Sequence, residues 1–97
     1  MNVVFAPLAL EDLSDIAEWI AEDNPDRATS FVSEISERCR SLSDFPERFP
    51  AIVSIGDHDV RKLTHAGYLV FYGIVGDSVH ILRIVHGARD WASLFGA

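Results

Sequence analysis

The stretch "GYLVFYGIVGDSVHILRIVHGARDW", residues 67–91, decides the fold because it contains two apolar segments joined by a tight turn. Branched and aromatic residues fill 68–75 and 79–86, and the "GDS" between them is typical of a hairpin turn. Alternation puts side chains on two faces of this hairpin, and both faces are largely apolar. A sheet with one solvated face would alternate apolar with polar residues. We therefore expect both faces to be covered.

The first half of the chain predicts two amphipathic helices. Apolar residues recur over 10–21 at the spacing of one helix face, with Glu11 and Asp12 in the predicted first turn. Asn24 is the predicted cap of a second helix, whose apolar stripe runs over 28–42. Two helices joined this closely should form an antiparallel hairpin.

The remaining segments complete an α+β fold of order β-α-α-β-β-β in one domain, residues 1–97. "NVVFA" predicts a first strand and "DVRKL" a short one, whereas two prolines in "SDFPERFPAIVSIGDHD", residues 43–59, predict a long loop. The helical hairpin can cover only one side of the small antiparallel sheet. The other side requires the C-terminal segment, a protein partner or both, and we favour the partner.

Composition indicates a globular cytoplasmic protein. Of 97 residues, 48% are apolar and 24% charged, which favours a folded domain over a disordered one. Cys39 is the single cysteine, so an intramolecular disulfide is excluded and a reducing compartment fits. Its place in an apolar stripe argues against a reactive role. We expect no secretory signal, because the first residues lack a basic segment and reach Glu11 and Asp12 early, and no apolar run approaches the roughly 20 residues that span a bilayer.

The net charge of −7 is unevenly distributed. Residues 1–50 carry eleven acids against four arginines, whereas residues 51–97 carry four acids against four cations. A protein that binds by neutralising phosphates is expected to have a basic surface. This charge therefore disfavours direct binding of nucleic acid beyond a small local site.

Polar side chains with possible catalytic or binding roles cluster in "HGARD", residues 86–90, at the end of the last predicted strand. His86 could act as acid or base on a phosphodiester while Arg61, Lys62 and Arg89 hold phosphate. Alternatively, Arg89 and Asp90 pair with neighbouring residues and His86 bonds a backbone carbonyl. Spacing alone does not decide between these interpretations.

Arg83 is the second candidate, because it lies centrally in an apolar strand and a buried arginine needs an acidic partner or an open groove. A metal site is disfavoured. His80 and His86 are predicted on one face but about 20 Å apart along the strand, and no Cys or His pair has ligand spacing. The sequence also lacks a glycine-rich phosphate loop. We expect neither a metal nor a cofactor.

Several segments together resemble the ParE/RelE toxin superfamily of microbial toxin–antitoxin pairs, and most of all its ParE branch. They are "LEDLSDIAEWIAEDNPDRA", "LSDFPERFP", "VRKL", "GYLVFYGIV" and "VHILRIVHGARD", in an order that spans nearly the whole chain. The resemblance implies a helical hairpin packed on a small twisted antiparallel sheet, which agrees with the elements predicted above.

Within the superfamily the resemblance implies two competing activities. RelE-like members cut messenger RNA on the ribosome, and ParE-like members act against DNA gyrase. Lys62 and Arg89 fall where the ribonucleases keep cations. However, Leu69 stands where RelE has an arginine, and Phe95 stands where it has a tyrosine. These two losses remove stabilisation that phosphodiester cleavage needs.

The resemblance therefore predicts a gyrase-inhibiting toxin that a cognate ParD-like antitoxin neutralises in a hetero-oligomer. The expected surface for target or antitoxin comprises Arg61, Arg83, His86, Arg89, Asp90 and Trp91, with acidic antitoxin segments suiting its arginines. One alternative is a RelE-like ribonuclease that uses His86, Arg89, Arg61 and Lys62. Another is a non-toxic relative that only binds an antitoxin. Toxins of this superfamily are commonly basic, whereas this chain has a net charge of −7.

Overall fold

Two helices pack on one face of a five-stranded mixed sheet in the computed structural model, which describes residues 1–87 and 91–95. The strands are β1 Asn2–Phe5, β2 Ala51–Ile55, β3 His58–His65, β4 Tyr68–Val75 and β5 Ser78–His86. The helices are α1 Pro7–Asp23 and α2 Pro25–Arg40, and short 3-10 turns span Ser41–Ser43 and Ala92–Phe95. The predicted α+β class and helical hairpin are confirmed. Across the described residues, no helix is both long and apolar enough to cross a membrane.

Helix α1 begins earlier than predicted, with Pro7 in its first turn, where a missing N–H costs nothing. Glu11 and Asp12 consequently lie beyond the first turn, and the prediction that placed them in it is wrong. The predicted cap of α2 is confirmed, because the Arg27 N–H donates to Asn24 Oδ1 at 3.0 Å.

The sheet order is β1-β5-β4-β3-β2, with one strand more than predicted. β1 lies parallel to β5 and pairs Asn2–Phe5 with Ser78–Ile81, whereas the other neighbours are antiparallel. The prediction of one loop over residues 43–59 is wrong, because "AIVSI" forms the edge strand β2. Pro50 directly precedes this strand, so its missing N–H interrupts no ladder.

A β-bulge in β5 changes the predicted faces of this strand. Phe71 pairs with Arg83 and Tyr72 pairs with Ile81, so Leu82 is an extra residue. The bulge shifts the alternation by one residue. Ile81 and Ile84 therefore both pack against the helices, and the strict alternation predicted for 79–86 is wrong beyond this point.

Each sheet face has its own apolar cluster. The helix side buries Ala9, Leu13, Phe31, Ile35, Cys39, Leu42, Leu63, Tyr68, Val70, Tyr72, Val79, Ile81 and Ile84. The opposite side buries Val60, Leu69, Phe71 and Val85. The C-terminal segment covers this second cluster, because the Trp91 and Phe95 ring centroids lie 5.4 and 5.1 Å from that of Phe71. We favoured a protein partner as the cover of this face. Over Phe71, however, the C-terminal segment of the chain provides it.

Candidate functional site

An open groove lies where β5 runs past the end of β1. β1 pairs with β5 only as far as Ile81, and beyond this point α1 flanks the strand. The space between them has a volume of about 430 Å³. It is lined by Asp12, Asp15, Ile16 and Trp19 of α1 and by Tyr68, Ile84, Val85 and His86 of the sheet. We call this feature the α1–β5 groove.

Of the two alternatives for Arg83, an acidic partner or an open groove, the structure shows an acidic partner inside the chain. Its Nε and Nη2 donate to the two carboxylate oxygens of Asp12 at 2.7 and 2.9 Å, and the Ile84 N–H donates to Asp12 Oδ2 at 2.9 Å. The hydrogen bond from the guanidinium to Asp12 raises the pKa of Arg83. This bidentate pair fastens α1 to the unpaired end of β5, so the charge of Arg83 is satisfied within the fold.

Arg61 has an equally internal role at the other end of the sheet. Its Nη1 donates to the carbonyl oxygens of Phe49 at 2.6 Å and Glu47 at 3.2 Å. The Tyr72 hydroxyl donates to the carbonyl oxygen of Pro46 at 2.7 Å, and burial raises the pKa of this phenol. Together Arg61 and Tyr72 fix the loop that precedes β2 by donating to three of its backbone carbonyls.

Lys62 and Trp91 meet on the second face of the sheet. The Lys62 Nζ lies 5.5 Å from the centroid of the Trp91 ring, within the range of a cation–π contact. Lys62 pairs in register with Phe71, on which the indole packs. Trp91 therefore covers apolar surface here, besides its predicted place in a binding surface.

His86 lies on the helix side of the sheet, at the mouth of the α1–β5 groove. It is exposed, and its ring makes an edge contact with Tyr68 at 5.3 Å between centroids. Arg61 pairs with Tyr72 and His86 pairs with Tyr68, so about 13 Å of strand separates them. Lys62 faces the opposite side. The structure thus does not bring Arg61, Lys62 and His86 together, and Arg89 and Asp90 lie outside the described residues.

The bulge also separates two histidines. His80 precedes the bulge and is on the face opposite Val79, whereas His86 follows it on the helix side. Our prediction that they share a face is wrong. Residues 1–87 and 91–95 contain no cluster of three or more His, Cys, Asp or Glu side chains that could hold a metal ion.

Cys39 is buried in the helix-side cluster, as its stripe predicts. Desolvation by this burial raises the pKa of the thiol to about 12, so the nucleophilic thiolate is scarce near neutral pH.

The sequence predictions do not include the helical wall of the groove. They place Asp12 in a first turn, where the helix dipole favours acids, and they name neither Asp15 nor Trp19 as a site residue. Trp19 offered a signal, because it falls outside the apolar stripe of its own helix and is 65% exposed in the structure.

Comparison with known sequences connects the chain to toxins. The family model described as the ParE toxin of the type II toxin–antitoxin system, parDE, matches residues 3–91. Toxin RelE2 of Caulobacter vibrioides is 30% identical over 91% of this chain and 97% of the relative. Toxin RelE1 of the same species is 24% identical over 92% of this chain and 96% of the relative. The resemblance predicted from the sequence is confirmed.

Two solved structures share the fold. A chain of the chromosomal ParDE system from P. aeruginosa matches with a TM-score of 0.75 at 24% identity, covering 89% of this chain and 95% of that chain. A chain of the archaeal RelE–RelB complex from Pyrococcus horikoshii matches with a TM-score of 0.55 at 16% identity, covering 91% and 96%. The likeness extends over nearly the whole length of each.

Proposed function

We propose that this chain, which belongs to the ParE toxin family of type II toxin–antitoxin systems, inhibits DNA gyrase and is neutralised by a cognate ParD-like antitoxin. Family membership supports the antitoxin as a direct protein partner. The finer assignment, gyrase as target, follows the ParE branch of the resemblance.

One observation carries the choice of gyrase over RNA cleavage: of the cations predicted to hold phosphate, Arg61 and Lys62 lie in the described residues, and both are engaged within the fold. Arg61 donates to loop carbonyls, and the Lys62 ammonium lies over the Trp91 ring. A ribonuclease needs cations and an acid–base group around one phosphate. Arg61, Lys62 and His86 instead lie at different ends and faces of the sheet. A protein inhibitor of gyrase requires no such convergence.

A ribonuclease remains the second candidate because of His86. Its imidazole is exposed at the mouth of a groove large enough for a nucleotide-sized group, and the two curated relatives carry the name RelE. On this hypothesis His86 moves a proton while a cation, Arg89 by the resemblance, holds phosphate.

The first experiment is a gyrase supercoiling and DNA-cleavage assay on the purified chain without antitoxin. A ribosome-programmed RNA cleavage assay is run in parallel on the same preparation. Gyrase inhibition with intact RNA supports the proposal, whereas RNA cleavage with normal gyrase activity overturns it. No effect in either assay, together with tight antitoxin binding, would favour the non-toxic relative.

The variant His86→Gln separates the two active candidates. RNA cleavage that depends on His86 should fall by about a hundredfold or more, the usual contribution of an acid–base group. Gyrase inhibition should survive as long as the variant folds. The matched control is His58→Gln, because His58 is also exposed but begins β3, at the other end of the sheet from His86.

A further inference from the structure

The α1–β5 groove is lined mainly by apolar side chains. Ile16 and Trp19 of α1 face the buried Tyr68 and Ile84 of the sheet across it, so Trp19 and the half-buried Ile16 provide apolar surface that is open to a partner. Trp19 is 65% exposed, although an indole gains much free energy when it is buried. Large exposed aromatics beside an apolar groove are typical of surfaces that receive another protein.

The helical wall of the groove is acidic. Helix α1 contains six acids and no lysine or arginine, and the first cation in the whole chain is Arg27. Of the two acids that line the groove, Asp12 is paired with Arg83, whereas Asp15 is exposed on the wall. A segment entering here therefore meets negative charge beside an apolar surface.

We propose that the α1–β5 groove receives a segment of the cognate antitoxin that carries a large apolar side chain for Trp19 and a lysine or arginine for Asp15. This inference rests on the proposed neutralisation by an antitoxin. It reverses the charge that we expected from the sequence, where an acidic segment was to meet Arg61, Arg83 and Arg89. Arg61 and Arg83 are bonded within the fold, and among the described residues that line the groove the exposed carboxylate is that of Asp15.

Charge complementarity would fix the position of the antitoxin segment along the groove as well as select a basic one. A basic side chain over Asp15 forms a charge-assisted contact in a partly apolar setting, where water screens it less than on an open surface. The neighbouring apolar side chain would be fixed one helical turn away, next to Trp19. The carboxylates of α1 would repel an acidic segment, which adds specificity for a basic one.

The test uses the full chain and the antitoxin encoded with it, with affinity measured by calorimetry. Asp15→Lys and Trp19→Ala are each expected to weaken binding about tenfold or more, as for central anchors of an interface. Glu37→Lys and Phe45→Ala are the matched controls, because both side chains are exposed and neither lines the groove. These controls should bind within about twofold of the wild type. Thermal melting checks that all four variants fold.

Charge exchange makes the test specific. Replacing basic residues of the antitoxin one at a time by glutamate should identify one replacement that restores binding to Asp15→Lys. Unchanged or tighter binding of the antitoxin by Asp15→Lys would overturn the inference while leaving neutralisation intact. Variants that lose gyrase inhibition but keep antitoxin binding would assign the groove to gyrase and also overturn it. Failure of the wild-type chain to bind its antitoxin would instead refute the proposed neutralisation.

Discussion

The two faces of the sheet are covered in different ways. On one face, helices of 17 and 16 residues close over a cluster of thirteen buried residues. On the other, four of the described residues are buried, and they are covered by part of β2 and by Trp91, Leu94 and Phe95 of the C-terminal segment. The first face has the larger apolar area removed from water, so most of the folding free energy should come from it.

The two faces also differ in how firmly they are held together. The helix side is fastened by ion pairs such as Asp12–Arg83 as well as by packing, and its groove opens where β5 runs past the end of β1. The tail side depends on a few aromatic contacts to Phe71. We therefore expect core substitutions on the helix side to cost most, and tail substitutions to be tolerated.

The largest expected effect is that of Phe31→Ala on the helix side. Phe31 is 1% exposed and packs edge-on against Tyr68 at 5.1 Å, so truncation leaves a cavity. The free energy of unfolding should fall by about 3–5 kcal/mol, measured by urea denaturation. The control is Phe45→Ala, because Phe45 is 68% exposed. Comparable losses in both variants would refute the assignment of the core to this face.

Asp12→Ala should have the next largest effect. The Asp12 and Arg83 side chains are only 14% and 21% exposed, and the change leaves a half-buried guanidinium and the Ile84 N–H without their carboxylate. Partial solvation reduces the penalty of a fully buried pair, so we expect a loss of about 2–4 kcal/mol. Glu18→Ala, an exposed acid of the same helix, should change stability by less than about 0.5 kcal/mol. Equal effects would show that the pair is only a surface contact.

Asp12 also illustrates what the sequence could and could not predict. The stripe over 28–42, the cap at Asn24 and the hairpin over 67–86 follow from local periodicity and turn chemistry, and all are confirmed. The partner of Arg83 lies 71 residues away along the chain. No local pattern specifies such a contact, because it depends on where α1 crosses the sheet.

The bulge at Leu82 and the strand β2 were missed for a related reason. A bulge inserts one residue without altering the apolar pattern, yet it moves every later side chain to the other face. The short edge strand "AIVSI" follows a proline-rich loop and is stabilised by its pairing with β3. Consequently the sequence predictions include His86, which lines the groove, but not the helical wall of the groove.

Phe95→Ala tests the weaker cover of the second face. Phe95 is half-buried, and its ring lies 5.1 Å from that of Phe71 between centroids. Less apolar area is lost than at Phe31, so the free energy of unfolding should fall by about 1–2 kcal/mol, measured by the same urea titration. A loss as large as that of Phe31→Ala would show that the tail is as important to the fold as the helices.

The smallest effect concerns the exposed rim of the helix side, where Arg27 Nη1 donates to Glu34 Oε2 at 2.7 Å. This hydrogen bond lowers the pKa of Glu34 below its ordinary value of 4.5, and His65, 3.5 Å away, contributes a smaller attraction. Because the folded-state pKa is the lower one, the stabilisation is present above pH 4.5 and is lost as the pH falls through the folded-state value.

Glu34→Gln removes this titration while keeping the shape of the side chain. The wild type should be slightly more stable than the variant near about pH 5, and the difference should shrink towards about pH 2, measured by thermal melting at matched ionic strength. Glu37→Gln is the control, because Glu37 is also exposed on α2. A wild-type advantage that grew on acidification would contradict the sign of the pKa shift. It would also show that the Arg27–Glu34 ion pair does not stabilise the helix side of the fold.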